Sequence, residues 1–470
     1  MKKYIICVAV LLFMVSNVQS QRALVETPPM GWNSFDSYGV YLHEKAALEN
    51  IDAFAKKLKP FGYEYFVIDA GWFGEFELIE GTIYSKEKHA KSLNINEYGL
   101  LQPSHTYFPH GFKKIIRKCH DKGIKFGLHL MRGIPREAVK ANLPIQGTSF
   151  HAADIADTIN VCSWCPQNYG IDMSKPGAQE FYNSLMNQMA KWGVDYIKYD
   201  DIVPYPDEVQ AVVNAIKQCG RPIVLSLSPG DRVNRNAMDV FKQANLLRVT
   251  GDVWDSQRDI DKSFNAWKIW QGVSAPGFWI DLDMIPFGQL QLMAPNPSSQ
   301  KNEHIRAQVK HGMEQDISFK NALFSGRGRN RWSQLSHRQM QTFIVIRAMA
   351  ASPLMVGGDL PTMDEYSLSL LTNADIIACN QNGVMGRLCN ETQGLSVWRT
   401  PSKSGKGGWI GIFNRNNKEK GIQFSLSQAG LNPAEKYDLF DVLHEQEVND
   451  THFRIPAHGV IFLRYSAVDE

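Results

Sequence analysis

"PGAQEFYNSLMNQMAKWGVDYIKYDD", residues 176–201, holds two patterns in succession. Phe181, Leu185, Met186 and Met189 recur at three- and four-residue spacing, and the run stops at Gly193. That is an amphipathic helix with its usual glycine stop. Val194 to Asp200 then read as a strand of branched and aromatic residues. A helix leading directly into such a strand predicts a parallel βα unit.

The same unit recurs on both sides. Strand-like "YEYFVIDAGW" (63–72), "IKFGLHLMRG" (124–133), "PIVLSLS" (222–228), "NLLRVTGD" (245–252), "GFWIDLDMI" (277–285) and "SPLMVGGDL" (352–360) each follow a helical pattern. With "MGWNS" (30–34) as the first strand there are eight. Eight alternations predict an α/β fold of the (β/α)8 TIM-barrel type over residues 21–388. No GxGxxG or P-loop favours an open doubly wound sheet. From residue 389 to 470 the pattern changes to short strands split by Gly, Asn and Pro, which predicts a C-terminal antiparallel β-sandwich domain. A long insertion at about 286–334 separates strands seven and eight. In a barrel it would hang over the face that carries active sites.

Residues 1–20, "MKKYIICVAVLLFMVSNVQS", have two lysines, a short apolar run and small residues before Gln21. This is the layout of a secretory signal peptide, and the run is too short for a membrane span. Export to the periplasm or the exterior is expected. Removing Lys2 and Lys3 leaves 48 basic against 48 acidic residues. A neutral chain gives no electrostatic reason to expect nucleic acid or an anionic membrane as partner. Six cysteines remain. "CSWC" at 162–165 has no second CxxC, so a local disulfide or two thiols are expected rather than zinc.

In such a barrel, polar residues at the carboxyl ends of strands are the functional candidates. Side chains alternate between the faces of a strand. Tyr196, Lys198 and Asp200 therefore share one face, with Asp200 at the far end. Asp195 starts the strand on the opposite face and is expected to be structural. Asp69, His129, Arg248, Asp252, Asp281 and Asp283 lie at or near other strand ends, and Trp32 lies on the first strand. Carboxylates ringing one mouth beside an indole suit a carbohydrate site, since carboxylates bind hydroxyls and an indole offers an apolar face to a sugar. Clustered aspartates could also hold Ca²⁺ or Mg²⁺. No EF-hand-like or HExxH run is present, so neither metal nor cofactor is expected.

"TPPMGWNSF" (27–35), "YFVIDAGW" (65–72), "YIKYDD" (196–201), "RVTGDVWDS" (248–256), "DLDMI" (281–285), "MAASPLMVGGDL" (349–360) and "ADIIACNQN" (374–382) occur in this order. The set resembles glycoside hydrolase family 27, the melibiases, and the resemblance spans nearly the whole mature chain. It implies a retaining exo-glycosidase with Asp200 as nucleophile and Asp252 as acid/base. It further implies that Lys198 and Arg248 reach sugar hydroxyls, that Trp32 packs against the sugar, that Asp283 lies in the site, and that Asp69 holds hydroxyls at the C4/C6 end. The nucleophile must stay ionised, which a neighbouring lysine favours. The acid must hold a proton, so its surroundings should raise its pKa.

Several positions depart from the family. Asp69 is followed by Ala70 where a second Asp is usual. His129 stands where a tyrosine helps bind the sugar. Pro229 stands about where a glutamate reads the C2 position. These changes spare the reaction centre and alter the pocket walls. The expected substrate is a galacto-configured oligosaccharide or polysaccharide side chain. Terminal α-D-galactosyl residues come first, with β-L-arabinopyranosyl residues, which lack the C6 hydroxymethyl group, as the alternative. A sugar-binding relative without activity is the third reading, opposed by the presence of both Asp200 and Asp252. Arg327, Arg329 and Arg331 near the end of the insertion form either a solvated basic loop or replacement contacts for substrate.

Overall fold

The computed structural model describes residues 24–77, 90–230, 232–292 and 330–468. All eight expected strands form: β1 Met30–Asn33, β2 Tyr65–Ile68, β3 Lys125–Met131, β4 Tyr196–Asp200, β5 Val224–Leu227, β6 Leu246–Arg248, β7 Trp279–Asp281 and β8 Leu354–Val356. They pair in parallel and in chain order, and β1 also pairs with β8. A parallel bridge between Ile285 and Val356 joins the chain just after β7 to β8, so the sheet closes on itself. The crossover helices include α1 Glu44–Lys57, α2 Lys113–Asp121, α3 Ala178–Trp192, α4 Pro206–Gln218, α5 Met238–Phe241, α6 Gln257–Trp270, α7 His337–Met349 and α8 Glu365–Leu371.

Local chemistry sets these boundaries. Helix α4 opens with Pro206, Asp207 and Glu208 in its first turn, where a missing N–H costs nothing and negative charge meets the helix dipole. Helix α7 is started by a reciprocal capping box between Ser336 and Gln339. Helix α3 ends at Gly193 in the left-handed conformation, as its sequence predicts.

Strand β4 shows how the alternation positions the site. Tyr196 points into the barrel, its ring centroid 5.4 Å from that of Tyr65. Tyr199 points outward against Tyr182 of α3. Lys198 and Asp200 follow Tyr196 up the inner face. At the opposite end Asp195 accepts hydrogen bonds from Arg221 (2.5 Å), His120 (2.8 Å) and the amide of Phe126 (2.9 Å). It ties the foot of β4 to its neighbours, the structural role expected of it.

The C-terminal domain is antiparallel. Strands β9 Arg387–Thr392, β10 Leu395–Pro401, β11 Gly407–Asn414, β12 Lys420–Gln423, β13 Tyr437–Asp441, β14 Gln446–Glu447, β15 His452–Ile455 and β16 Val460–Ala467 form a six-stranded sheet, order β9-β10-β11-β16-β13-β14, and a separate β12-β15 pair. Val397, Ile410, Ile412, Phe424 and Ile455 fill the space between them. The domain docks on α6, where Trp267 stacks on Trp398 at 3.7 Å and Phe264 meets Phe413 at 4.9 Å.

The insertion between β7 and β8 opens and closes with an antiparallel ribbon pairing Gln289–Leu290 with Arg331–Trp332. Arg327, Arg329 and the proposed leader at residues 1–20 lie outside the described residues. Cys162 and Cys165 form no disulfide. Among the described residues no helix is long and apolar enough to cross a membrane.

Candidate active site

The carboxyl ends of β2, β3, β4, β6 and β7 bring most of the expected residues together. Strands β4 and β6 flank β5, so their backbones stand about 10 Å apart, a gap that two inward-reaching side chains can narrow. Beyond β5 the chain runs Ser228-Pro229-Gly230, with the Ser228–Pro229 peptide cis. Gly230 lies so close to the backbone of Arg248 that a Cβ there would sit 1.3 Å from its carbonyl oxygen.

Asp200 is the best-held group in the cluster. Burial pushes its carboxyl up. A hydrogen bond from His129 and the charges of Lys198 and Arg248 outweigh burial and hold it well below the usual carboxylate range. The His129 Nε2 atom lies 3.1 Å from Asp200 Oδ2, which requires a proton on that nitrogen. Lys198 donates to Asp69 at 2.8 Å. Burial opposes the charge on Lys198, but Asp69 and Asp200 together raise its pKa.

Across the mouth, Arg248 donates to Asp252 at 2.7 Å and to Asp283 at 3.4 Å. Burial disfavours its charge, which Asp283, Asp252 and Asp200 restore. The Asp252 side chain is 59% exposed and rests on this guanidinium, where sequence reasoning expects surroundings that raise a pKa. Asp283 adopts a left-handed φ of 74° and accepts from the amide of Val253 at 2.8 Å. Arg347 of α7 supports that turn by donating to the carbonyls of Leu282 and Asp283. Asp281 lies behind it, its pKa raised to about 6 by burial and by Asp283.

Three expected sugar contacts are buried side chains. Trp32 is 0% exposed, stacks on Phe66 at 4.6 Å, and donates its indole N–H to the carbonyl of Gly358. It pairs in register with Phe66, which packs against Phe54 of α1, so the indole faces the helix layer and not the mouth. Asp69 is 1% exposed, and both of its oxygens are engaged. Oδ2 accepts from Asn33 (2.6 Å) and Lys198, and Oδ1 from the amide of Ala70 (2.8 Å). It stands behind Lys198 and fixes it. His129 is likewise buried against Asp200.

Sequence reasoning missed Phe35 and Trp254. Phe35 lies beyond the end of β1, with the Lys198 ammonium 5.8 Å from its ring centre and Trp254 at 6.5 Å. The only available signal was the second aromatic of "MGWNSF". Asp36, next in the chain, is buried against Gly357, and burial together with Asp283 raises its pKa well above the usual value. Its Oδ2 has no hydrogen-bond partner among the described residues. Asp201, whose role the sequence left open, is bound by Arg132 at 3.1 Å, and Arg132 also holds Glu208. That network braces the loop after β4.

An ionised carboxylate beside a lysine, and a second, solvent-reaching carboxyl held by an arginine that also acts on the first, are equipped for glycosyl transfer to and from an aspartate. The comparisons agree with this chemistry. Residues 16–214 match the melibiase model, 167–307 the α-galactosidase A model, and 392–465 the α-galactosidase C-terminal β-sandwich model. A crystal structure of a GH27 β-L-arabinopyranosidase from Geobacillus stearothermophilus is 34% identical with TM-score 0.83, covering 95% of this chain and 98% of that one. A variant of that enzyme in complex with arabinose is 33% identical with TM-score 0.83, covering 96% and 99%. An α-galactosidase from Cyamopsis tetragonoloba is 24% identical over 430 residues, 90% of this chain and 81% of that one. Together, the barrel, the strand-end carboxylates and this level of identity over the full length show that the chain is a glycoside hydrolase belonging to family 27, the melibiases.

Proposed function

We propose that the enzyme is an exported, retaining exo-glycosidase that releases terminal β-L-arabinopyranosyl residues, with Asp200 as nucleophile and Asp252 as acid/base. In the first step Asp252 gives its proton to the glycosidic oxygen, the bond from C1 to that oxygen breaks, and Asp200 bonds to C1. In the second step Asp252 takes a proton from water, which displaces Asp200 from C1. The electrostatics of Asp200 support its part, since His129, Lys198 and Arg248 keep it anionic in a buried position. Asp252 sits at the rim, its side chain 59% exposed, where it can meet the glycosidic oxygen of an entering glycan. The lysine-then-apolar layout of residues 1–20 supports export.

The observation that carries the choice of sugar is the pairing of Asp69 with Ala70. Asp69 is committed to Asn33, Lys198 and its neighbouring amide. Ala70 supplies no side-chain acceptor for a C6 hydroxyl. L-Arabinopyranose has the galactose ring stereochemistry without that group. The relatives at 33–34% identity are described as acting on this sugar, and the α-galactosidase relatives stand at 24–26%. This reverses the order that motif reading alone suggests, while α-D-galactosides stay second because they share the ring.

Paired kinetics on 4-nitrophenyl β-L-arabinopyranoside and 4-nitrophenyl α-D-galactopyranoside test the choice. A kcat/KM ratio of about 10 or more in favour of the arabinoside is expected for a pocket lacking one hydroxyl contact. A ratio at or below unity overturns it. Proton NMR of the first-formed sugar should show retained anomeric configuration.

A further inference from the structure

The chain that carries Asp252 is pinned residue by residue. Lys262 of α6 donates to the Asp252 carbonyl at 2.5 Å. Asp283 accepts from the Val253 amide at 2.8 Å. Trp254 is buried, with Phe35 on one side and the Arg331 guanidinium 5.8 Å from its ring centre. Asp255 is gripped in a fork: Arg331 Nε donates to Oδ2 at 3.0 Å and Nη2 to Oδ1 at 2.6 Å, and the Gln334 amide adds a bond to Oδ2 at 3.0 Å. The side chains of Arg331 and Asp255 are 15% and 5% exposed, so water does little to weaken the pair.

The first two pins come from α6 and from the turn after β7. The fork comes from the returning strand of the insertion, whose register places Arg331 opposite Leu290. It reaches across to the residue three positions beyond Asp252. The fork therefore acts on the same short segment, residues 252–255, that carries the Asp252 carboxyl.

We infer that Arg331 is a positioning residue for the acid/base: its two-point grip on Asp255, with its contact on Trp254, sets where the Asp252 carboxyl stands relative to the glycosidic oxygen. The inference rests on Asp252 being the acid/base. It turns the end of the insertion into part of the catalytic scaffold, in place of the solvated basic loop or the substrate-reading contact considered for its arginines.

Leaving-group dependence separates positioning of the acid from general damage. A 2,4-dinitrophenyl glycoside departs without a proton, and a phenyl glycoside needs one. For Asp252→Ala, kcat/KM on phenyl β-L-arabinopyranoside should fall by about 100-fold or more, the usual share of general acid catalysis, while the dinitrophenyl glycoside suffers far less. For Arg331→Ala the expected loss is about 10-fold on the phenyl glycoside and within about 2-fold on the dinitrophenyl one, since small misplacements of a catalytic group are costly. Arg331→Lys keeps the charge and loses the fork, so it should recover only part of the phenyl activity. An equal loss on both glycosides, or no loss, overturns the inference. If Arg331→Ala does not fold, Arg331→Lys is read by the same two criteria. Should Asp252→Ala itself be indifferent to leaving group, the acid/base assignment fails and the role of Arg331 with it. A leaving-group-dependent Asp252→Ala beside an indifferent Arg331→Ala refutes the positioning role alone.

Discussion

Ala70 sits beside an aspartate whose oxygens are already in use, so adding a carboxylate there should restore an acceptor for a C6 hydroxyl. Ala70→Asp is expected to move the ratio of galactoside to arabinoside kcat/KM upward by about 10-fold, read from the paired nitrophenyl assays. Asp281 offers a test of the electrostatics. Its folded pKa of about 6 lies above the ordinary value of 3.8, so its stabilising influence is complete below about pH 4 and is lost as pH rises through 6. Asp281→Asn keeps an oxygen for the Asp283 amide and removes the charge. The variant should therefore gain stability over wild type at pH 8, by about 3 kcal/mol, and the gain should vanish near pH 4. Denaturant melts at the two pH values check the sign. A larger gain at pH 4 than at pH 8 would contradict the assignment.

At the level of the element, β4 offers a test of stability against chemistry along one strand. Asp195 at its foot bonds to Arg221, His120 and a backbone amide, and Asp200 at its top meets His129. Asp200→Asn should abolish turnover, by about 1,000-fold or more, while circular dichroism shows a folded chain. Asp195→Asn should lower stability by about 1–3 kcal/mol and leave kcat near wild type. The reverse pattern would mean that the site lies at the other end of the barrel. The eight strands were legible because each combines a run of apolar residues with a helix of matching period, and burial rewards both locally. Strand alternation likewise predicted correctly that Lys198 and Asp200 share the inner face. Trp32 was misplaced because the facing of a four-residue strand depends on its register with Phe66, a partner distant in sequence. Asp69 and His129 look from their positions like sugar ligands. The hydrogen bond of His129 to Asp200 joins neighbouring strands, that of Lys198 to Asp69 spans β3, and no local pattern announces either. The fork between Arg331 and Asp255 is equally silent, since it links residues 76 positions apart across an insertion without a repeating pattern.

On the scale of the whole molecule, two domains share one apolar seam. Trp267 and Phe264 of α6 pack on Trp398 and Phe413 of the β domain, and α6 is the helix that follows the Asp252 loop. Lys262 on the same helix holds the Asp252 carbonyl. Truncating the seam should therefore reach the site. Trp398→Ala is expected to cost about 3–5 kcal/mol, as for other buried large-to-small changes, and to separate the calorimetric unfolding of the two domains. A single transition at the wild-type temperature would show that the Trp267–Trp398 stack does not couple the domains. The stacked pair has a further consequence. Two indoles in face contact at 3.7 Å share their excited states, so near-ultraviolet circular dichroism and emission from this pair are set by how the rings face each other. Since each domain contributes one ring, the protein carries a label-free optical gauge of its own domain contact.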